Sequence, residues 1–128
     1  MATITPVNPD ALPRSPFFSQ ATIAAAGRTL YIGGQNGLGE DGTALEGAGA
    51  QTTRALENVL TILSDAGATA DDVAKVTVYF VDGADLDEAI AAMGPAWPNR
   101  TAAISVIRVA GLVVPGTLVE IEAVAMLP

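Results

Sequence analysis

The sequence predicts an α+β domain in which a mixed β-sheet carries two helices packed on one face. Three observations predict it. Segments with apolar residues at every second position recur along the chain, as strands require. Only two stretches have helical periodicity, one long and one short. The 128 residues, half of them hydrophobic and 16% charged, suffice for one buried core, so residues 1–128 read as a single domain.

Residues 1–19 contain Pro6, Pro9, Pro13 and Pro16 and read as an extended N-terminal arm. Strands from Gln20 to Ala26 and from Arg28 to Gly34 flank Gly27, which signals a hairpin. Gly37-Leu38-Gly39-Glu40-Asp41-Gly42 is turn chemistry. A helix from about Ala48 to Ala66 follows, with Leu56, Val59, Leu60 and Leu63 on one face, Arg54 and Glu57 on the other, and Gly67 at its C-terminal cap. Thr69 to Asp72 has capping-box spacing. Ala74 to Val81 alternates as a strand, and a short helix from Ala84 to Met93 ends at Gly94-Pro95. Strands from Thr101 to Val109 and from Thr117 to Met126, joined as a hairpin through Gly111 and Pro115-Gly116, close the chain.

Two helices cover one face of such a sheet but not both. In the last strand Val119, Ile121, Ala123 and Ala125 point one way, while Leu118, Glu120, Glu122, Val124 and Met126 point the other. A monomer leaves that second, half-apolar face wet, which predicts a homo-oligomer.

Composition excludes several chemistries. Six basic against 14 acidic residues give a net charge of −8, and the basic residues are scattered, so nucleic acid is not an expected partner. Cys and His are both absent. That removes thiol nucleophiles, His-based triads and the usual zinc sites, and no metal is expected. No apolar run reaches the ~20 residues of a membrane span, and the N-terminus lacks a signal-peptide pattern, so a cytoplasmic protein is expected.

The motifs divide by context. Gly37 to Gly42 matches G-x-G-x-x-G literally, but two carboxylates stand where a pyrophosphate would go, and a turn is the better reading. Asn99-Arg100-Thr101 is a literal glycosylation sequon, which carries no meaning without an export signal. Lys75, the single lysine, reads as an exposed strand-edge residue. Asp71, Asp72, Asp82, Asp85, Asp87 and Glu88 lack calcium-loop spacing. Arg100, just beyond Pro98, offers a planar fork for a carboxylate, and a structural ion pair with Glu120 or Glu122 is an equal alternative.

Six ordered segments resemble the RidA-like (YjgF) family of reactive-intermediate deaminases, from about Ser15 to Met126. They are Ser15-Pro16-Phe17-Phe18-Ser19-Gln20-Ala21; Thr29-Leu30-Tyr31-Ile32-Gly33-Gly34-Gln35; Gln51 to Asn58; Ala66-Gly67-Ala68 leading into Asp72 to Tyr79; Pro98-Asn99-Arg100-Thr101; and Val119-Glu120-Ile121-Glu122-Ala123. The resemblance implies a chorismate-mutase-like fold and a homotrimer with sites at its subunit interfaces. It also implies cofactor-free hydrolysis of small enamines and imines of the 2-aminoacrylate type to 2-oxo acids and ammonia. Arg100 would bind the substrate carboxylate and Glu120 would orient water and move protons, with Phe18, Gly33, Gly34 and Ala102 lining the pocket. This chain has Phe18 for the family's Tyr, Gly33 for its Ser, Ala102 for a small polar residue often Cys, and Ile90 nearest to an expected Asn. These departures imply a less polar pocket. The alternatives are a trimeric protein that binds or senses small carboxylates with little hydrolysis, or a related reaction on a larger apolar substrate.

Overall fold

In the computed structural model, which describes residues 2–128, the long helix α1 spans Ala48–Asp65. Leu56, Val59 and Leu63 are buried along one side of it, and Leu60 is half-buried. Gly67, at φ +79°, ends the helix: Ala68 N donates to Leu63 O at 2.8 Å and Gly67 N to Ser64 O at 3.1 Å, the paired bonds of a Schellman cap. At the other end Gly47 offers no side chain. The carboxylate of Glu88 accepts from Gly49 N at 2.9 Å instead and brings negative charge to the helix N-terminus.

The strands are β1 (Ile4–Val7), β2 (Ala21–Ala24), β3 (Thr29–Asn36), β4 (Val73–Val81), β5 (Ala103–Val109) and β6 (Val119–Met126). The second helix, α2, spans Leu86–Ala96 and packs beside α1. Four strands form the main sheet in the order β3-β6-β4-β5. β4 and β5 run parallel and the other pairs antiparallel, so the sheet is mixed. Ile32, Val76, Val78, Phe80, Val119, Ile121, Ala123 and Ala125 form one core with α1 and with Ala89 of α2. The fold is the α+β arrangement expected, with both helices on one face of the sheet.

The elements depart from the sequence expectation in three places. β2 does not form a hairpin with β3. It pairs with β1, from Ile4↔Ala24 to Val7↔Ala21, so part of the arm is itself a strand. β2 lacks an alternating apolar face, whereas β3 finds one in β6 through Leu30↔Ala125 and Ile32↔Ala123. Nor do β5 and β6 form a hairpin: β4 lies between them. Finally, α2 runs past Met93 through Pro95 to Ala96, with Trp97 N donating to Met93 O at 2.9 Å. A proline one turn from a helix end costs few helical bonds, and Trp97 anchors that end in the core.

The face turned away from the helices carries Tyr31, Lys75, Thr77, Tyr79, Glu120, Glu122 and Val124. Tyr31 is 78% exposed there. Lys75 is not at an edge. It lies on the interior strand β4, half-buried, with its Nζ donating to Ser105 Oγ at 2.7 Å. Next to it, Tyr79 OH donates to Glu122 Oε1. That bond, with burial and the negative charge of Glu122 and Glu120, holds the Tyr79 phenol above the usual tyrosine range.

Because the folded state holds the Tyr79 proton more tightly, its contribution to stability is present below ~10, the unfolded pKa of a phenol, and is lost as pH rises through the folded value. In a Tyr31→Phe chain, Tyr79 is the only phenol left. Alkaline absorbance titration of that chain should give a midpoint above ~10, and adding Glu122→Gln should lower it. An unmoved midpoint would count against the assigned cause.

Candidate functional site

Arg100 stands on a turn built by its neighbour. Asn99 is 2% exposed and makes four hydrogen bonds. Its Nδ2 donates to Ala70 O at 2.6 Å, and its Oδ1 accepts from Thr101 N, Thr101 Oγ1 and Ala102 N at 2.7, 3.0 and 3.1 Å. Asn before such a turn mimics a backbone turn with its own side chain. So the middle residue of the literal sequon is displayed by a buried first residue that no glycan could reach.

The guanidinium of Arg100 donates from Nη2 to Gly94 O at 3.0 Å. In a continuing helix that carbonyl would accept from residue 98, but residue 98 is proline and has no N–H. Arg100 therefore serves the end of α2 with one nitrogen. It also lies over the Phe17 ring, 5.6 Å from the centroid. The ion pair with Glu120 or Glu122, held open from sequence, is not formed. Arg14, Arg54 and Arg108 have carboxylate partners at 3.2, 3.3 and 3.4 Å, whereas Arg100 has none among the described residues.

A cavity of about 460 Å³ opens beside it, lined by Phe17, Phe18, Ile90, Met93, Trp97 and Val106 among others. Arg100 is its only charged residue. Ile90 stands three and four residues before Met93 and Gly94, and these stand four and three before Trp97, so one face of the end of α2 and its C-cap make a wall. Sequence reasoning named Phe18 and Ile90 but missed Phe17, Trp97 and Asn99. The Asn-x-Thr spacing was the one available signal for Asn99, as an Asx turn before a strand.

Glu120 belongs to a different neighbourhood. Its carboxylate accepts from Asn36 Nδ2 at 3.3 Å and lies over Gly34, where an added Cβ would come within 2.3 Å of Oε2. Gly34 is thus the residue that makes room for Glu120. Gly33 is open on the same sheet face, in a shallow cavity with Tyr31, Lys75 and Glu122. The Arg100 pocket lies on the other side. Its wall residues Ile104 and Val106 pair with Val76 and Val78, which face the helices. Arg100 and Phe18 come together; Glu120, Gly33 and Gly34 come together; one chain does not join the two groups. Ala102 is fully buried, and its carbonyl accepts from Ser19 N at 3.1 Å.

The remaining motifs have structural work. Asp41 Oδ1 accepts from Thr43 N at 3.0 Å and Thr43 Oγ1 at 2.8 Å, bonds that hold its carboxyl below the usual range and close the Gly37–Gly42 turn. Asp82 pairs with Arg108, and Asp85 caps α2 by accepting from Glu88 N at 3.0 Å. Among the described residues no group of three or more acidic side chains is placed to hold a metal ion. None of their helices is long and apolar enough to cross a membrane.

The model of the family described as Endoribonuclease L-PSP matches residues 9–127, which include both neighbourhoods. The chain belongs to this family, the YjgF/RidA family. A Rid-family protein of unknown function from Yersinia pestis is 36% identical, with a TM-score of 0.86 over 98% of this chain and 99% of that one. RidA from the Antarctic bacterium Psychrobacter sp. PAMC 21119 is 30% identical, with a TM-score of 0.71 over 94% of each chain. A Mycobacterium tuberculosis member of the YjgF/YER057c/UK114 family is 30% identical, with a TM-score of 0.66 over 97% of this chain and 99% of that one. No curated protein matches.

Proposed function

We propose that this YjgF/RidA-family chain hydrolyses reactive 2-imino acids and their enamine tautomers, of the small 2-aminoacrylate type, to 2-oxo acids and ammonia. One observation carries the reading: the single charge of an apolar pocket is an arginine with no carboxylate of its own. A planar fork in apolar surroundings suits a carboxylate ligand better than any neutral one. The enamine first takes a proton at carbon to give the imine. Water then adds to the C=N carbon, and the carbinolamine expels ammonia as the C=O forms. An imine is already electrophilic, so holding it and orienting one water suffices.

The water-orienting group would be Glu120 of a neighbouring copy. Arg100 and Glu120 open on opposite sides of one sheet, and a homotrimer with sites between its chains would bring the two together. Gly33 and Gly34 would then border the pocket from the partner side, with Phe18 as an apolar wall and the buried Ala102 supporting the Arg100 turn. No cofactor or metal enters the reaction, and the cytoplasm is where such imines arise. Endoribonuclease activity suits this chain poorly: its net charge is −8, and it has no His for acid–base work on RNA.

One observation favours a second reading. The pocket within one chain has no proton-transfer group besides Arg100, and Phe18 cannot supply one. A chain whose partner fails to deliver Glu120 would bind small carboxylates and not turn them over. Following the decay of freshly generated 2-iminopropionate with and without the protein separates the two. The proposal predicts acceleration; an unchanged decay with measurable pyruvate binding would favour the binding protein.

A further inference from the structure

We infer that the pocket beside Arg100 selects 2-imino acids with a branched apolar side chain over the three-carbon acid, an inference that rests on reading Arg100 as the carboxylate clamp. The cavity, at about 460 Å³, falls within the ~300–1,000 Å³ of pockets that enclose drug-sized ligands. A three-carbon acid with its carboxylate on Arg100 would leave most of that space to water. The walls it would leave wet are Phe17, Phe18, Ile90, Met93, Ile104 and Val106.

The fold leaves much of this lining turned to the cavity, although Met93 and Ile104 also pack against the core. Ala89 is the only residue of α2 that is fully buried, while Ile90, next to it, is 51% exposed and faces the cavity. Phe17 is 61% and Val106 45% exposed at the same opening. An apolar helix face, a strand end and an aromatic pair of the arm thus surround one empty volume. The guanidinium that closes it is held in place by Gly94 O and the Phe17 ring.

Each CH2 moved from water into such a lining strengthens binding about fourfold. A leucine-derived imine has three more carbons than an alanine-derived one, which gives a preference of about 10- to 100-fold. A hydroxylated or acidic side chain finds no partner on these walls and is disfavoured.

Two measurements on the full chain test this. Imines generated in situ by an amino-acid oxidase from alanine and from leucine give the ratio of kcat/KM. The single tryptophan, Trp97, lines the cavity, so its fluorescence can report binding of pyruvate and of 4-methyl-2-oxopentanoate. Leucine-derived imine should be favoured at least about tenfold in kcat/KM, and 4-methyl-2-oxopentanoate should bind at least about tenfold tighter than pyruvate. Ile90→Asn, at a half-exposed position, should shrink both ratios several-fold.

Equal or reversed ratios with active hydrolysis would overturn this inference and leave the deaminase reading intact. Tighter binding of the branched acid without hydrolysis of any imine would support the pocket assignment and overturn the deaminase reading. Neither binding preference nor hydrolysis would overturn both.

Discussion

Arg100→Ala should lower kcat/KM for a 2-imino acid about 10²–10³-fold while changing stability by no more than about 1 kcal/mol. The two effects separate because Arg100 does little for the fold. It gives one hydrogen bond, to Gly94 O, has no ion pair among the described residues, and stands over an exposed ring. Its removal leaves a ligand carboxylate in apolar surroundings with no counter-charge, the situation that makes truncating one partner of a desolvated pair cost about 2–5 kcal/mol. Arg100→Lys should recover part of the loss, since an ammonium supplies the charge but not the two-pronged geometry. Steady-state kinetics and a thermal melt on the same samples check both statements. A kcat/KM within threefold of wild type would remove Arg100 from the site.

Asn99→Ala should be the more damaging change to the fold, at about 2–4 kcal/mol, because it strands buried groups. Ala70 O loses a donor, and Thr101 N and Ala102 N lose an acceptor, all around a residue 2% exposed. For a domain of this size the melting temperature should fall by roughly 10 °C, read at fixed protein concentration because an oligomer's stability depends on it. Asn99→Asp separates positioning from folding. Its carboxylate keeps the bonds from Thr101 and Ala102 that set the Arg100 turn and loses only the donor to Ala70. It should therefore retain activity well below its melting temperature, where Asn99→Ala shows a raised KM. Equal KM values for the two variants would reduce Asn99 to a structural role.

Much of this was legible in the sequence, for reasons that particular elements make plain. α1 could be read because its apolar residues recur on one face and Gly67 marks its end, both local signals. β6 could be read because Val119, Ile121, Ala123 and Ala125 alternate strictly, and all four are buried. Which strand lies beside which was not legible. Alternation says which face a residue takes but not its neighbour, so the hairpin signals at Gly27 and Gly111 point to partners that β2 and β5 do not have. The sequence predicts an end to α2 at Met93 because Gly94-Pro95 is the usual stop signal, whereas the anchoring of Trp97 is a tertiary effect.

The site was half legible. Arg100 could be singled out by type and by its place after Pro98. The absence of a carboxylate beside it could not, because Glu120 and Glu122 lie on a strand whose facing depends on the whole sheet. Nor could the reason for Gly34. The Glu120 side chain, across a strand pair far apart in sequence, occupies the space a Cβ would take and would have to shift to admit one.

In the proposed site, one chain gives the carboxylate clamp and another the water-orienting carboxylate. Mixing Arg100→Ala and Glu120→Gln chains in equal amounts, by unfolding and reassembly together, tests it most directly. Each variant alone should be nearly inactive. If neighbouring chains supply the two groups around a closed ring, about a quarter of the sites in the mixture have both intact, and about a quarter of wild-type hydrolysis should return. A mixture no more active than its components, from wild-type chains that reassemble to full activity, would contradict the account.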